Sequence, residues 1–346
     1  MAIIATWYMI LLGAYLLVPA LKDAILARAL DTLRGVFAGD VQVQSFDVSL
    51  WPRVQMSARG MTIGDNPAHP LIRAEIADAQ CGLLPWHVRR LALRGLSLHL
   101  PAVRVAGAKK PAYVWNVSID EIVSEGVYLE ILPSGGKQTP LHFELARLRL
   151  NNFNPAGVAD FSADLAIGEL GALIQTSGRL GPWNALDPSA TPLQGVYAMP
   201  RCDLAALPEL RGAVSSNGRF RGILQRIEIS GAASASEFSL SPEERPQPLR
   251  ATFQAAVDAW DGSASIEQVQ GLLHTGEFVA SGFVRNVQDD RRRDIAVRLS
   301  VIRGRLHDVV PLAARSGRGF YPQFAVDVGG ETAHAGSRAS RVVFSH

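Results

Sequence analysis

The sequence predicts a mostly β protein carried behind an amino-terminal membrane helix. Three observations point there. The first 21 residues, MAIIATWYMILLGAYLLVPAL, hold no charged side chain. A helical apolar stripe follows at once. From Val41 to about Ile302, apolar residues then recur at every second position, with no second long helical pattern. Period-two alternation belongs to antiparallel strands with one apolar and one wet face, whereas α/β folds interleave strands with helices.

At about 1.5 Å per residue, residues 1–21 reach roughly 30 Å as a helix, the hydrocarbon thickness of a bilayer, and are read as a transmembrane anchor. The competing reading, a cleaved signal peptide, lacks its basic n-region and a small-x-small site directly after the run. Lys22, Arg28 and Arg34 follow the span. On the positive-inside rule they would hold the remainder in the cytoplasm, but long domains translocate largely regardless of such charge. Residues 22–39 predict a short amphipathic helix. Ile25, Leu26, Ala29, Leu30, Leu33 and Phe37 share one side, Asp31 and Arg34 lie elsewhere, and Gly39 ends it. Its stripe must lie on something, either the membrane surface or the open end of a β-structure.

Strand patterns begin with Val41 and Val43, then Phe46, Val48 and Leu50 after a phase slip. In RLALRGLSLHL, Arg90 to Leu100, the apolar parity changes from Leu91 and Leu93 to Leu96, Leu98 and Leu100 across Gly95. A bulge or tight bend at the glycine accounts for the change. RGMTI (59–63), RGLSL (94–98) and EGVYL (125–129) repeat a charged residue, a glycine and an alternating strand start, as a reused meander unit would. Further alternation runs through 141–150, 159–167, 218–234, 249–260 and 293–302. Turn-rich stretches such as PSGGKQTP and SPEERPQP separate these strands, and a short turn is expected around 202–210. Residues 313–346 carry no clear alternation and stay unassigned, a disordered or truncated tail.

Composition excludes several classes of function. A net charge of +2 from 34 basic and 32 acidic residues spread along the chain leaves no footprint for nucleic acid. Two cysteines without CxxC spacing, Cys81 and Cys202, exclude a redox motif or thiolate zinc site. The eight histidines show no metal-ligand spacing. Around Lys137 the phosphate-loop pattern fails, because Ile131 stands at its first glycine and Gln138 at its Ser or Thr. No serine sits in a nucleophile elbow. The reading is therefore of a protein that is not an enzyme, with no catalytic residue, no metal and no cofactor.

The passage VQVQSFDVSLWPRVQMSARGMTIGDNPAHPLIRAEIADAQCGLLP resembles the amino-terminal region of AsmA-like proteins, through Ser49-Leu50-Trp51-Pro52-Arg53, Gly60 to Asp65 and Leu71 to Glu75. Leu91 to Leu100 is similar to the next strand pair of that family. Ser216 to Gly222, with Ile227 to Phe238, is similar to its later repeat. The resemblance covers roughly residues 1–310. It implies an elongated, curved antiparallel β-sheet groove over residues 40–312, anchored in a bacterial inner membrane with the carboxyl-terminal domain in the periplasm. It further implies a part in phospholipid transport and outer-membrane biogenesis, with no catalytic residues.

On that reading the apolar faces line a trough for acyl chains, with Val48, Leu50, Ile63, Leu91, Leu93, Leu96, Leu98, Leu100 and Leu129 as candidate lining. The expected partners are phospholipid, the bacterial inner membrane and envelope proteins, not nucleic acid. Two alternatives remain open at this level. The faces could pack on each other as a closed sandwich core, or an exposed edge strand could make the chain a non-catalytic scaffold for envelope protein assembly.

Overall fold

The computed structural model describes helical residues within 24–34 and residues 40–49, 53–64, 70–82, 87–101, 118–132, 141–167, 171–206, 211–239, 245–258, 263–273, 276–286, 293–303 and 322–328. Eighteen strands form one sheet. They are β1 (Val41–Gln42), β2 (Ser45–Ser49), β3 (Gln55–Ile63), β4 (Ile72–Cys81), β5 (His87–Arg94), β6 (Ser97–Pro101), β7 (Ser118–Leu132), β8 (Leu141–Phe153) and β9 (Ala159–Ile167). There follow β10 (Ala172–Leu180), β11 (Pro192–Asp203), β12 (Ala213–Ile223), β13 (Arg226–Phe238), β14 (Gln247–Asp258), β15 (Ser263–Leu273), β16 (Gly276–Asn286), β17 (Arg293–Arg303) and β18 (Pro322–Val328). β1 and β2 both pair with β3, and β5 and β6 both lie between β4 and β7, so eighteen strands fill sixteen positions in chain order. Among the described residues no pairing joins the β1/β2 edge to β18, so the sheet is open.

One expectation is corrected. The sheet is mixed rather than antiparallel, because β5 and β6 run parallel to β7, and β17 parallel to β18. Parallel neighbours need a crossover of a dozen or more residues, and the 102–117 connection is long enough to make one. Within the stretch 313–346, Pro322–Val328 forms β18. The short turn expected near 202–210 is a 3-10 turn at Leu204–Ala206.

The three repeated glycines share one device. Gly60, Gly95 and Gly126 have φ of 62°, 59° and 65°. Register sets them at one level, since Met61 faces Ala74, Ile76 faces both Arg59 and Arg94, Arg94 faces Glu125, and Val127 faces Leu145. A left-handed residue inverts strand parity without changing the face that points inward. Leu91 and Leu93 before Gly95, and Leu98 after it, accordingly pack on the same core. In the row next to the glycines, Met61, Ala74, Leu96, Val127 and Leu145 are all buried. The glycines thus crease the sheet across its strands, a known route to curvature.

That row is the centre of the core, with Val41, Ile63, Ala77 and Ala163 beside it. Leu30 and Leu33 of the amino-terminal helix pack against it, while Ala27, Asp31 and Arg34 are exposed. Of the two partners possible for the helical stripe, the structure shows the sheet. Asp31 and Arg34 pair at 3.5 Å along the helix surface. The expected anchor, residues 1–21, lies outside the described residues, and among those described no helix is long and apolar enough to cross a membrane.

Candidate functional site

From β10 to β16 the sheet changes character. Along β10 to β14 half-buried residues largely alternate with exposed ones, and most of the half-buried set is apolar or glycine: Ile174, Leu193, Phe220, Ile229 and Phe253 are examples. On this face between Ala172 and Gly282 the buried residues are small, namely Ala172, Cys202, Ala235 and Ala280. Every large apolar side chain there keeps part of its surface accessible. A closed sandwich would bury those large side chains first. The face is therefore open, unlike the core around Ile63, which is 1% exposed.

Aromatic rings lie down on this open face instead of standing up from it. Register pairs Gly195 with Phe220, Tyr197 with Gly218, and Gly231 with Phe253. A Cβ on Gly195 would come 2.6 Å from the Phe220 ring, and one on Gly218 would come 2.8 Å from that of Tyr197. The missing side chains thus make room for rings folded flat across the neighbouring strand. Phe161 and Phe220 approach from opposite sides of Gly178 and Gly195, with ring centroids 6.3 Å apart. The result is a low, continuous apolar floor.

Charge occupies the other face of the same strands. Arg179, Arg219, Arg221, Glu228 and Arg250 are all exposed there, with Arg221 Nε donating to Glu228 Oε2 at 3.1 Å. Farther back, Glu121 lies between Arg90 and Arg149 at 3.3 and 3.5 Å. Exposed pairs of this kind stabilise little; their value is in showing which face is wet. Two hollows, of about 980 and 880 Å³, are lined mainly from the charged side. A twisted sheet is concave in one direction on each face, so hollow size does not choose between the faces, whereas charge does.

The candidate lining read from the sequence falls mostly in the creased end. Val48, Ile63 and Leu96 are buried. Leu91, Leu93, Leu98 and Leu129 are half-buried and pack against the core. Leu100 is placed in β6 opposite Ile131, and Leu50 lies outside the described residues. The structure brings Leu98 and Leu129 together as cross-strand partners. Sequence reasoning missed the accessible floor of Tyr197, Phe220, Ile229 and Phe253. Part of its signal was present in GRFRG (218–222), IEIS (227–230) and LRATFQ (249–254), where each large apolar residue is separated from the next by a polar or small one.

Other reactive groups are few. Burial pushes the Cys81 thiol up from its ordinary pKa, and burial followed by the nearby Asp203 carboxylate does the same for Cys202. Both thiols are free and buried. His99 Nδ1 donates to the Pro70 carbonyl at 2.8 Å, and its Nε2 lies 3.4 Å from Glu130 on the face of β6 opposite Leu98. Among the described residues no cluster of His, Cys, Asp or Glu could hold a metal ion.

Fold and site together define an open, creased β-sheet with one uncharged apolar face and one charged face. Compared with protein-family models, curated proteins and solved structures, the chain matches none.

Proposed function

We propose that this chain is an inner-membrane-anchored periplasmic protein of AsmA-like type. On this reading it holds phospholipid acyl chains against its apolar face and takes part in lipid transport and outer-membrane biogenesis. The observation that carries the reading is the uncharged floor of β10–β16, whose large apolar side chains stay accessible. Such a surface suits a hydrocarbon chain, which gains about 0.8 kcal/mol per methylene removed from water. A long strip of equivalent contacts holds a chain while letting it slide, and needs neither nucleophile nor metal. The order of apolar anchor, amphipathic helix and alternating strands supports the same reading. Mass spectrometry of lipids retained by the purified full chain tests it. Stoichiometric phospholipid is expected, while a folded chain that retains none would favour the scaffold for envelope proteins.

A further inference from the structure

The open floor is not uniformly apolar. Among the described residues of β10–β16 between Ala172 and Gly282, its hydroxyl-bearing side chains are Thr176, Tyr197 and Ser216, and no charged side chain shares their face. Tyr197 and Ser216 are neighbours: the Tyr197 ring leans away from Thr176, its partner on β10, and crosses Gly218 toward Gly231, which brings its hydroxyl to Ser216.

Their protons are already committed. Thr176 Oγ1 donates to the Val196 carbonyl at 3.1 Å, and Ser216 Oγ to the Ala232 carbonyl at 3.0 Å. A carbonyl only accepts, so the 3.0 Å contact between Tyr197 Oη and Ser216 Oγ has tyrosine as its donor. Each of the three hydroxyls has spent its single proton on the protein. What they present outward is acceptor capacity alone.

We propose that the Tyr197–Ser216 pair forms a hydrogen-accepting seat for an uncharged N–H or O–H group carried close to a lipid's acyl chain, as in an N-acyl amide or a hydroxyacyl lipid. The seat rests on the reading of this face as an acyl-chain floor and names which lipids it prefers. An ester linkage offers acceptors only, so it meets the seat acceptor to acceptor. An ammonium group could donate, but this face has no carboxylate to pair with it, and desolvating an unpaired charge is costly.

The full chain is titrated with N-methyldodecanamide and with methyl dodecanoate, each displacing a bound fluorescent acyl probe. The amide should bind roughly five-fold more tightly, the worth of one ordinary net hydrogen bond. Ser216→Ala releases the tyrosine proton, so the preference should vanish or turn toward the ester. Thr176→Val, which keeps the side-chain shape and lies on the far side of β11 from the pair, should leave the preference unchanged. Equal binding of the two probes by the native chain overturns the seat and leaves the acyl-chain reading standing. So does an unchanged ratio in Ser216→Ala. Failure of both probes to displace removes the acyl-chain reading and the seat with it.

Discussion

At Gly126 an added Cβ would meet nothing within 4 Å, yet its φ is +65°. Space and conformation are separable there. Gly126→Ala should cost about 1–2 kcal/mol through left-handed backbone strain alone, read as a fall in the denaturation midpoint with unchanged slope. Gly95→Ala should cost more, because the same strain is joined by contact with the Glu75 side chain. A second pair of substitutions separates the faces of β6. Leu98 is half-buried and packs on the core beside Ile72 and Leu129, so Leu98→Asp should lose part of the roughly 1.5–3 kcal/mol that full burial of a leucine contributes and add the cost of partly desolvating a charge. Ser97 faces Arg73 across the β4 pairing. Ser97→Asp should therefore shift stability by no more than about 0.5 kcal/mol. Thermal unfolding of the two variants checks the assignment.

Among the elements, the helix around Leu30 and Leu33 has its apolar stripe on the creased end of the sheet. Changing both leucines to Glu should raise proteolysis near residues 41–63 while sparing β10–β16, since the core against which the helix packs is drawn from Val41 to Ala163. Uniform protection in limited proteolysis would deny the helix that role. Strand positions were legible because a half-buried strand writes its face into every second residue, as in Leu91 and Leu93 or Ile227 and Ile229. The crease was legible at Gly95 because a left-handed residue must shift that parity. Strand direction was not legible. Alternation reads the same whether a neighbour runs parallel or antiparallel, so nothing in SIDEIVSEGVYLEIL placed β7 parallel to β5 and β6. β18, in PQFAVDV, is a short strand in a Gly- and Arg-rich stretch, where local pattern is weakest.

For the whole molecule, sixteen strand positions at about 4.8 Å make a sheet on the order of 70 Å across, measured along its contour. That is long enough for several acyl chains and consistent with a groove that works with a partner or by shuttling. The proposed location predicts that a phosphatase fused to the carboxyl terminus is active in cells, whereas a fluorescent cytoplasmic reporter at the same point is dark. The opposite pair of results would place the sheet in the cytoplasm. The candidate site was half legible. The sequence showed apolar faces on many strands, but which ones stay accessible depends on the crease and on the helix that covers one end, and neither effect is local. The most direct test of an open acyl-chain floor is photo-crosslinking at two adjacent positions of β13 in membranes. A probe replacing Ile229, on the uncharged face, should capture lipid, and the same probe replacing Ser230, on the charged face, should not. Equal adducts at both positions, or none at either in a folded chain, would contradict it.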